Sequence, residues 1–151
     1  MYTNIALVGL IAGLAWAFGL GTYLLIQTIV LVVAGAAGIW LFYVQHQFED
    51  AYWEQSEDWN YVAAAMRGSS FYKLPRVLQW LSGNIGFHHI HHLSPRVPNY
   101  NLEKCHDEEP AFQAVQAVTL WGSLRSLTFR LWDERQRRLV GYRRPRYDPT
   151  A

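Results

Sequence analysis

The chain has 151 residues, a formal net charge of +1, 51% hydrophobic residues and one cysteine. That length suits one ordinary domain, and the lone Cys105 excludes an internal disulfide and fits a reducing compartment. No nucleic-acid partner is expected.

The charge balance hides a sharp asymmetry. No Asp, Glu, Lys or Arg occurs from Met1 to Phe48; Glu49 is the first charge, and all 13 basic residues lie from Arg67 onward. A bilayer-spanning helix needs roughly 20 apolar residues, so the charge-free run is predicted to hold two. They are 1–20 and 23–44, with Gly19, Gly21 and Thr22 as the turn. The first lacks the basic start of a cleavable signal peptide. Both are therefore read as retained membrane helices rather than a buried helical hairpin. Gly9 and Gly13 form a GxxxG pattern that favours close helix packing. The positive-inside rule places the Arg-rich remainder and the C-terminus in the cytoplasm, with His46 at the cytoplasmic end of the second span. The expectation is an all-α, multi-pass membrane protein. Residues 1–48 supply two transmembrane helices, and 49–151 form a cytoplasmic and interfacial helical region.

Downstream, "EDAYWEQSEDWNY" mixes acids with Tyr52, Trp53, Trp59 and Tyr61, a composition suited to an interfacial belt. Glu49 would share a helical face with His46, three residues earlier. In "GSSFYKLPRVLQWLSGNIG", Leu74, Val77, Leu78 and Leu81 form a stripe expected to pack inward. Pro95 and Pro98 mark a loop. Residues 107–140, "DEEPAFQAVQAVTLWGSLRSLTFRLWDERQRRLV", read as one amphipathic helix with acids at its start, basic residues near its end and Gly141 just beyond.

Between the proposed helix and the proline loop lies "GNIGFHHIHHLSPRVPNYNL", with four of the six histidines in five residues. A helix over 84–93 would set His88, His91 and His92 on one face, at i, i+3 and i+4, while His89 points elsewhere. Gly83 and Gly86 would let backbone approach closely. Three converging imidazoles make a metal-binding surface, and an all-imidazole set suits Zn, Fe, Cu or Ni. There is no CxxC, HExxH or CxxCH. Structural zinc through Cys105 and His106 lacks further ligands, and haem between the spans would want histidines inside them.

"FYVQHQFEDAYW", followed some forty residues later by "LQWLSGNIGFHHIHHLSPRVPNYNL", closely resembles the C-terminal half of the membrane fatty acid desaturases of the bacterial and plastid acyl-lipid type. The HxxHH of His88, His91 and His92 matches that family's third histidine box. His46 in "QHQFE" matches the extra histidine ending its last membrane helix. The resemblance implies a di-iron centre on the cytoplasmic face with His46, His88, His91 and His92 among its ligands. His89 would be a bystander, and Glu49 and Asn84 would stand behind the ligands. It further implies an acyl-lipid or acyl-CoA substrate, O2, and a ferredoxin- or cytochrome b5-type electron donor. The product would carry a cis double bond.

The family's two earlier histidine boxes have no counterpart here, since no histidine precedes His46. The chain is therefore expected to be the C-terminal part of such an enzyme, inactive alone and completed by a missing N-terminal half or a homologous chain. Two alternatives stand beside this: a related di-iron hydroxylase or ketolase acting on lipid or carotenoid, and a non-catalytic membrane-anchored remnant.

Overall fold

The computed structural model describes residues 1–142. The chain is mostly helical and divides into two units, Met1–Trp40 and a second from Leu41 onward. The first unit holds α1 (Tyr2–Phe18) and most of α2 (Leu20–His46). Gly19 separates the helices at φ 82°, a left-handed conformation that glycine adopts without penalty. Gly21 and Thr22, expected in the turn, lie inside α2.

Among the described residues α2 alone is long and apolar enough to cross a membrane; α1 is apolar but only 17 residues long. At 1.5 Å per residue α1 reaches about 25 Å, short of the ~30 Å hydrocarbon core. Of the two expected spans, length thus supports one. Helix α1 buries none of its residues, and a Cβ at Gly9 or Gly13 would meet nothing within 4 Å. No described helix packs on the GxxxG pattern.

In the second unit, the last turns of α2 bury Val44 and Gln45. Helix α3 (Tyr61–Arg67) follows, its first turn capped by Asn60, whose side chain accepts from Ala63 N. Strand β1 (Phe71–Lys73), α4 (Arg76–Leu81) and α5 (His88–Leu93) lead to a 3-10 turn at Asn99–Asn101 and α6 (Leu102–Glu108). Helix α7 (Pro110–Gln113) starts with Pro at its first position and Glu109 as its cap. Strand β2 (Ala117–Thr119) pairs in parallel with β1, with Tyr72 opposite Val118. A 3-10 helix at Gly122–Thr128 then precedes the antiparallel hairpin of β3 (Leu131–Asp133) and β4 (Arg138–Val140). Phe87, Ile90 and Leu102 form a core cluster, packed by Phe71, Val97, Cys105 and Phe112.

Three expectations need correction. The chain is not all-α, because two small two-stranded sheets join the helices. Nor is 107–140 one helix. Val118 and Thr119 are β-branched, and Gly122, Ser123, Ser126 and Thr128 are weak helix formers. Ser123 Oγ and Thr128 Oγ1 donate to carbonyls three residues back, at 2.6 and 2.7 Å, which favours the tighter 3-10 winding. Asp133 Oδ1 then accepts from the amides of Arg135 and Gln136, turning the chain into the hairpin. Finally, the Val77, Leu78 and Leu81 stripe faces outward, and the buried residue of α4 is Gln79. Gln79 turns toward Gly86, where a missing side chain leaves it room. The C-terminal arginines Arg143, Arg144 and Arg146 lie outside the described residues.

Candidate metal centre

Helix α5 begins at His88, later than the predicted start at residue 84. Asn84, at φ 59°, and Gly83, at φ 64°, form a left-handed turn ahead of it. The Asn84 amide is engaged there, donating to Asn99 O at 3.0 Å. Asn84 therefore shapes the approach to the cluster without facing it.

On α5, His88 and His92 are one turn apart and project together. His46, in the last turn of α2, meets them. His92 Nε2 lies 3.0 Å from His46 Nε2 and 3.0 Å from His88 Nε2. One donor nitrogen from each of the three falls within 4.8 Å of the others. Imidazole nitrogens bound about 2.1 Å from one ion lie about 3.0 to 3.4 Å apart in octahedral to tetrahedral arrangements. The His46–His92 and His92–His88 spacings fall at the short end of that range, and the third pair lies within 4.8 Å.

Protonation argues the same way. His46 Nδ1 lies 2.8 Å from Phe42 O. A carbonyl only accepts, so the proton sits on Nδ1 and Nε2 presents its lone pair to His92. One nitrogen of His92 then faces two others at equal distance, and one N–H cannot serve both. A cation held between them would satisfy all three, and a backbone-tethered Nδ1–H is the usual companion of metal-ligating imidazoles. His88 Nδ1 is buried with no hydrogen-bond partner among the described residues. Burial, followed by the neighbouring His92, His46, His91 and His89, pushes the His88 pKa down to about 3. Burial, then His46 and His91, also lowers His92. Both rings are held neutral, the form in which imidazole binds a metal.

His91 stands apart from the three. Its ring stacks on His88 at 5.7 Å between centroids, and its nitrogens lie outside the group. His89, read as a bystander, is fully buried on the other side of α5 and pairs with His106, Nε2 to Nδ1, at 3.4 Å. Phe71, Phe87 and Phe112 surround this second pair. Burial, and then His106, lowers the His89 pKa to about 4. Glu49 turns away from the cluster. It accepts from Arg138 at 3.0 Å and Arg125 at 3.4 Å, clamping the C-terminal hairpin and the 3-10 helix.

Sequence reasoning placed Tyr61 in an interfacial belt and missed its link to the histidine helix. Its hydroxyl lies 2.7 Å from His92 O and 2.9 Å from Leu93 O, tying the start of α3 to the end of α5. No local pattern marks it, since its partners are about thirty residues away. Beside His46 and His92 lies a cavity of about 180 Å³, walled by Trp59, Tyr61, Ala64, Ala65, Gly68 and Ser69. It gives a small molecule a mostly apolar approach to the imidazoles.

The sequence matches the fatty acid desaturase family over residues 1–123. It is 52% identical to a fatty acid desaturase of Bacillus subtilis (strain 168) over 149 residues, which are 99% of this chain and 42% of that protein. Shorter matches link it to chloroplastic omega-6 fatty acid desaturases. That of Glycine max is 39% identical over 51 residues, 34% of this chain and 12% of that protein. That of Arabidopsis thaliana is 31% identical over 64 residues, 42% and 14% respectively. The chain thus spans less than half the length of these relatives. No solved structure matches it.

Proposed function

Because the chain belongs to the fatty acid desaturase family, we propose that it supplies the C-terminal, imidazole-bearing part of an O2-dependent acyl desaturase. The observation that supports this is that one nitrogen of each of His46, His88 and His92 lies within 4.8 Å of the others, two of the contacts at 3.0 Å. The relatives matched are themselves desaturases, so the hydroxylase or ketolase alternative has no finding on its side.

In this reading His46, His88 and His92 hold one iron, and His91, one step round the helix, serves a second. The second ion needs ligands beyond those of this sequence, so the chain alone does not complete the centre. Iron supplies the activation of O2 that removes hydrogen from an unactivated methylene, which no acid–base group can deprotonate. Two substrate hydrogens, two electrons delivered one at a time by a ferredoxin- or cytochrome b5-type donor, and two protons from water account for reduction of O2 to two waters.

The remaining work falls to the protein's own groups. The Phe42 carbonyl fixes the His46 tautomer, and burial keeps His88 unprotonated. Tyr61 anchors the backbone that carries His92. The cavity beside His46 and His92 offers a small molecule a mostly apolar approach to the imidazoles. Helix α2 crosses the membrane, α1 lies within it, and the histidines face the cytoplasm. The acyl lipid approaches from the bilayer.

Iron per chain, measured after purification in detergent, tests this reading. About one equivalent that disappears in His88→Ala supports it. Wild-type protein that holds no iron when reconstituted with Fe(II) under reducing conditions overturns it.

A further inference from the structure

Two short helices in the second unit are inside out. Helix α4 buries Gln79 at 7% exposure and presents Val77, Trp80 and Leu81 to the outside, Trp80 at 76%. The 3-10 helix at Gly122–Thr128 buries Ser123 and Ser126 completely or nearly so, and presents Trp121, Leu124 and Leu127. In a 3-10 helix residues i and i+3 eclipse. Its two serines thus share the inner face, and the three large apolar side chains share the outer one. An amphipathic element normally does the reverse in water.

The two elements sit at one place in the fold. Each directly follows one strand of the parallel β1–β2 pair, so both leave the same end of that sheet. Tyr72 of β1 and Ser123 of the 3-10 helix are joined hydroxyl to hydroxyl at 3.0 Å. The platform is also continuous with the end of α2. Tyr43 OH donates to Ser126 O at 3.1 Å, and Gln47 Nε2 to Phe129 O at 3.1 Å. Charge completes the pattern. Residues 59–102 and 110–132 contain no Asp or Glu, yet Lys73, Arg76 and Arg130 lie in or beside the two helices, while Arg125 is paired with Glu49.

We propose that the outer faces of α4 and the 3-10 helix form a platform seated in the interfacial layer of an anionic bilayer, beside the emerging end of α2. The apolar side chains enter the acyl boundary, the two indoles lie at headgroup depth, and the cations meet lipid phosphate. This rests on the reading of α2 as a membrane span. It deepens that reading by making the histidine-bearing unit a body that rests on the membrane, with two contacts besides α2.

The test uses the full chain, with Cys105 replaced by serine, in vesicles of equal parts phosphatidylcholine and phosphatidylglycerol. Bimane is attached at Val77→Cys or Leu124→Cys, with Val32→Cys in α2 and Tyr100→Cys as references. Lipids with a nitroxide near the headgroup should quench positions 77 and 124 several-fold more than position 100, and aqueous iodide should do the opposite. If 77 and 124 behave like 100 while deep nitroxide quenches 32, the platform is wrong and the span stands. If 32 is itself unquenched, the span and the platform fall together. Labels at 77 and 124 shielded from both lipid nitroxide and iodide would mean that protein covers this face, which also overturns the proposal.

Discussion

His46 and His92 face each other nitrogen to nitrogen at 3.0 Å, although 46 positions separate them in sequence. The His46 lone pair is aimed by the Phe42 carbonyl on its other nitrogen, and His92 is shared with His88. This geometry sets an unequal rank among the histidines. Substituting alanine for His46, His88 or His92 should weaken Co(II) binding about a hundredfold or more, as loss of one of three ligands requires. His91→Ala should leave binding of the first equivalent intact. Titration of the purified chain, followed by the cobalt absorption bands, checks the order. Loss of that equivalent in His91→Ala would contradict the three-histidine site.

Tyr61→Phe removes one hydroxyl and leaves the ring in place. The carbonyls of His92 and Leu93 lose their donor, which should cost about 1 kcal/mol. Because α5 is only six residues long, the loosened end should also lower Co(II) affinity several-fold and broaden the cobalt bands. Thermal melting and the same titration read the two effects separately. An unchanged spectrum would reduce Tyr61 to a stability role.

The metal-free protein should lose stability in mild acid. His89 has a folded pKa near 4, below its ordinary value because it is buried and lies beside His106. The unfolded chain, titrating near 6.5, therefore binds more protons between about pH 6.5 and 4. The contribution of His89 is fully present above that window, falls as pH drops through it, and levels off below. The loss is about 3 kcal/mol. His88, held by burial at about 3, contributes in the same direction down to lower pH. His89→Gln should flatten this slope, as melting in detergent across the pH range would show.

Gly86 and Gly9 should respond oppositely to alanine. A Cβ on Gly86 would collide with the Tyr72 carbonyl oxygen and the Gln79 side chain. The local backbone is tied by the bond from Tyr72 N to Gly86 O at 2.8 Å. Gly86→Ala should cost about 2 to 3 kcal/mol and displace the start of α5. Gly9→Ala meets open space and should be neutral or slightly favourable in a helix. Comparative melting decides this.

Glu49→Gln separates support of the fold from support of the metal. Its two arginine partners and partial exposure limit the effect to about 1 kcal/mol. Co(II) affinity should not change. A tenfold fall in affinity would place Glu49 in the ligands' surroundings instead.

Local periodicity foretold that His88 and His92 share a helix face. The i, i+4 relation of His88 and His92 is set by helix geometry alone. The charge-free run to Phe48 determined that the chain opens with apolar helices, and a run of glycine and asparagine turned the chain just before α5. What periodicity could not supply was the partner across each gap. Phe42 aims His46 because both lie on α2, but His92 completes the contact only after the chain has folded back. His106 meets His89, and Tyr61 meets His92, through contacts between segments with no repeat in common. The predicted 107–140 helix failed for a related reason. Its apolar spacing is helical, yet three residues paired with β1, and Ser123 found a buried partner in Tyr72, which outweighed weak propensity. By itself, the sequence determined where the histidines cluster and which segments are apolar. The tertiary structure decided which lone pairs converge, which histidine is left aside and which apolar faces turn outward, because those outcomes depend on packing between distant segments.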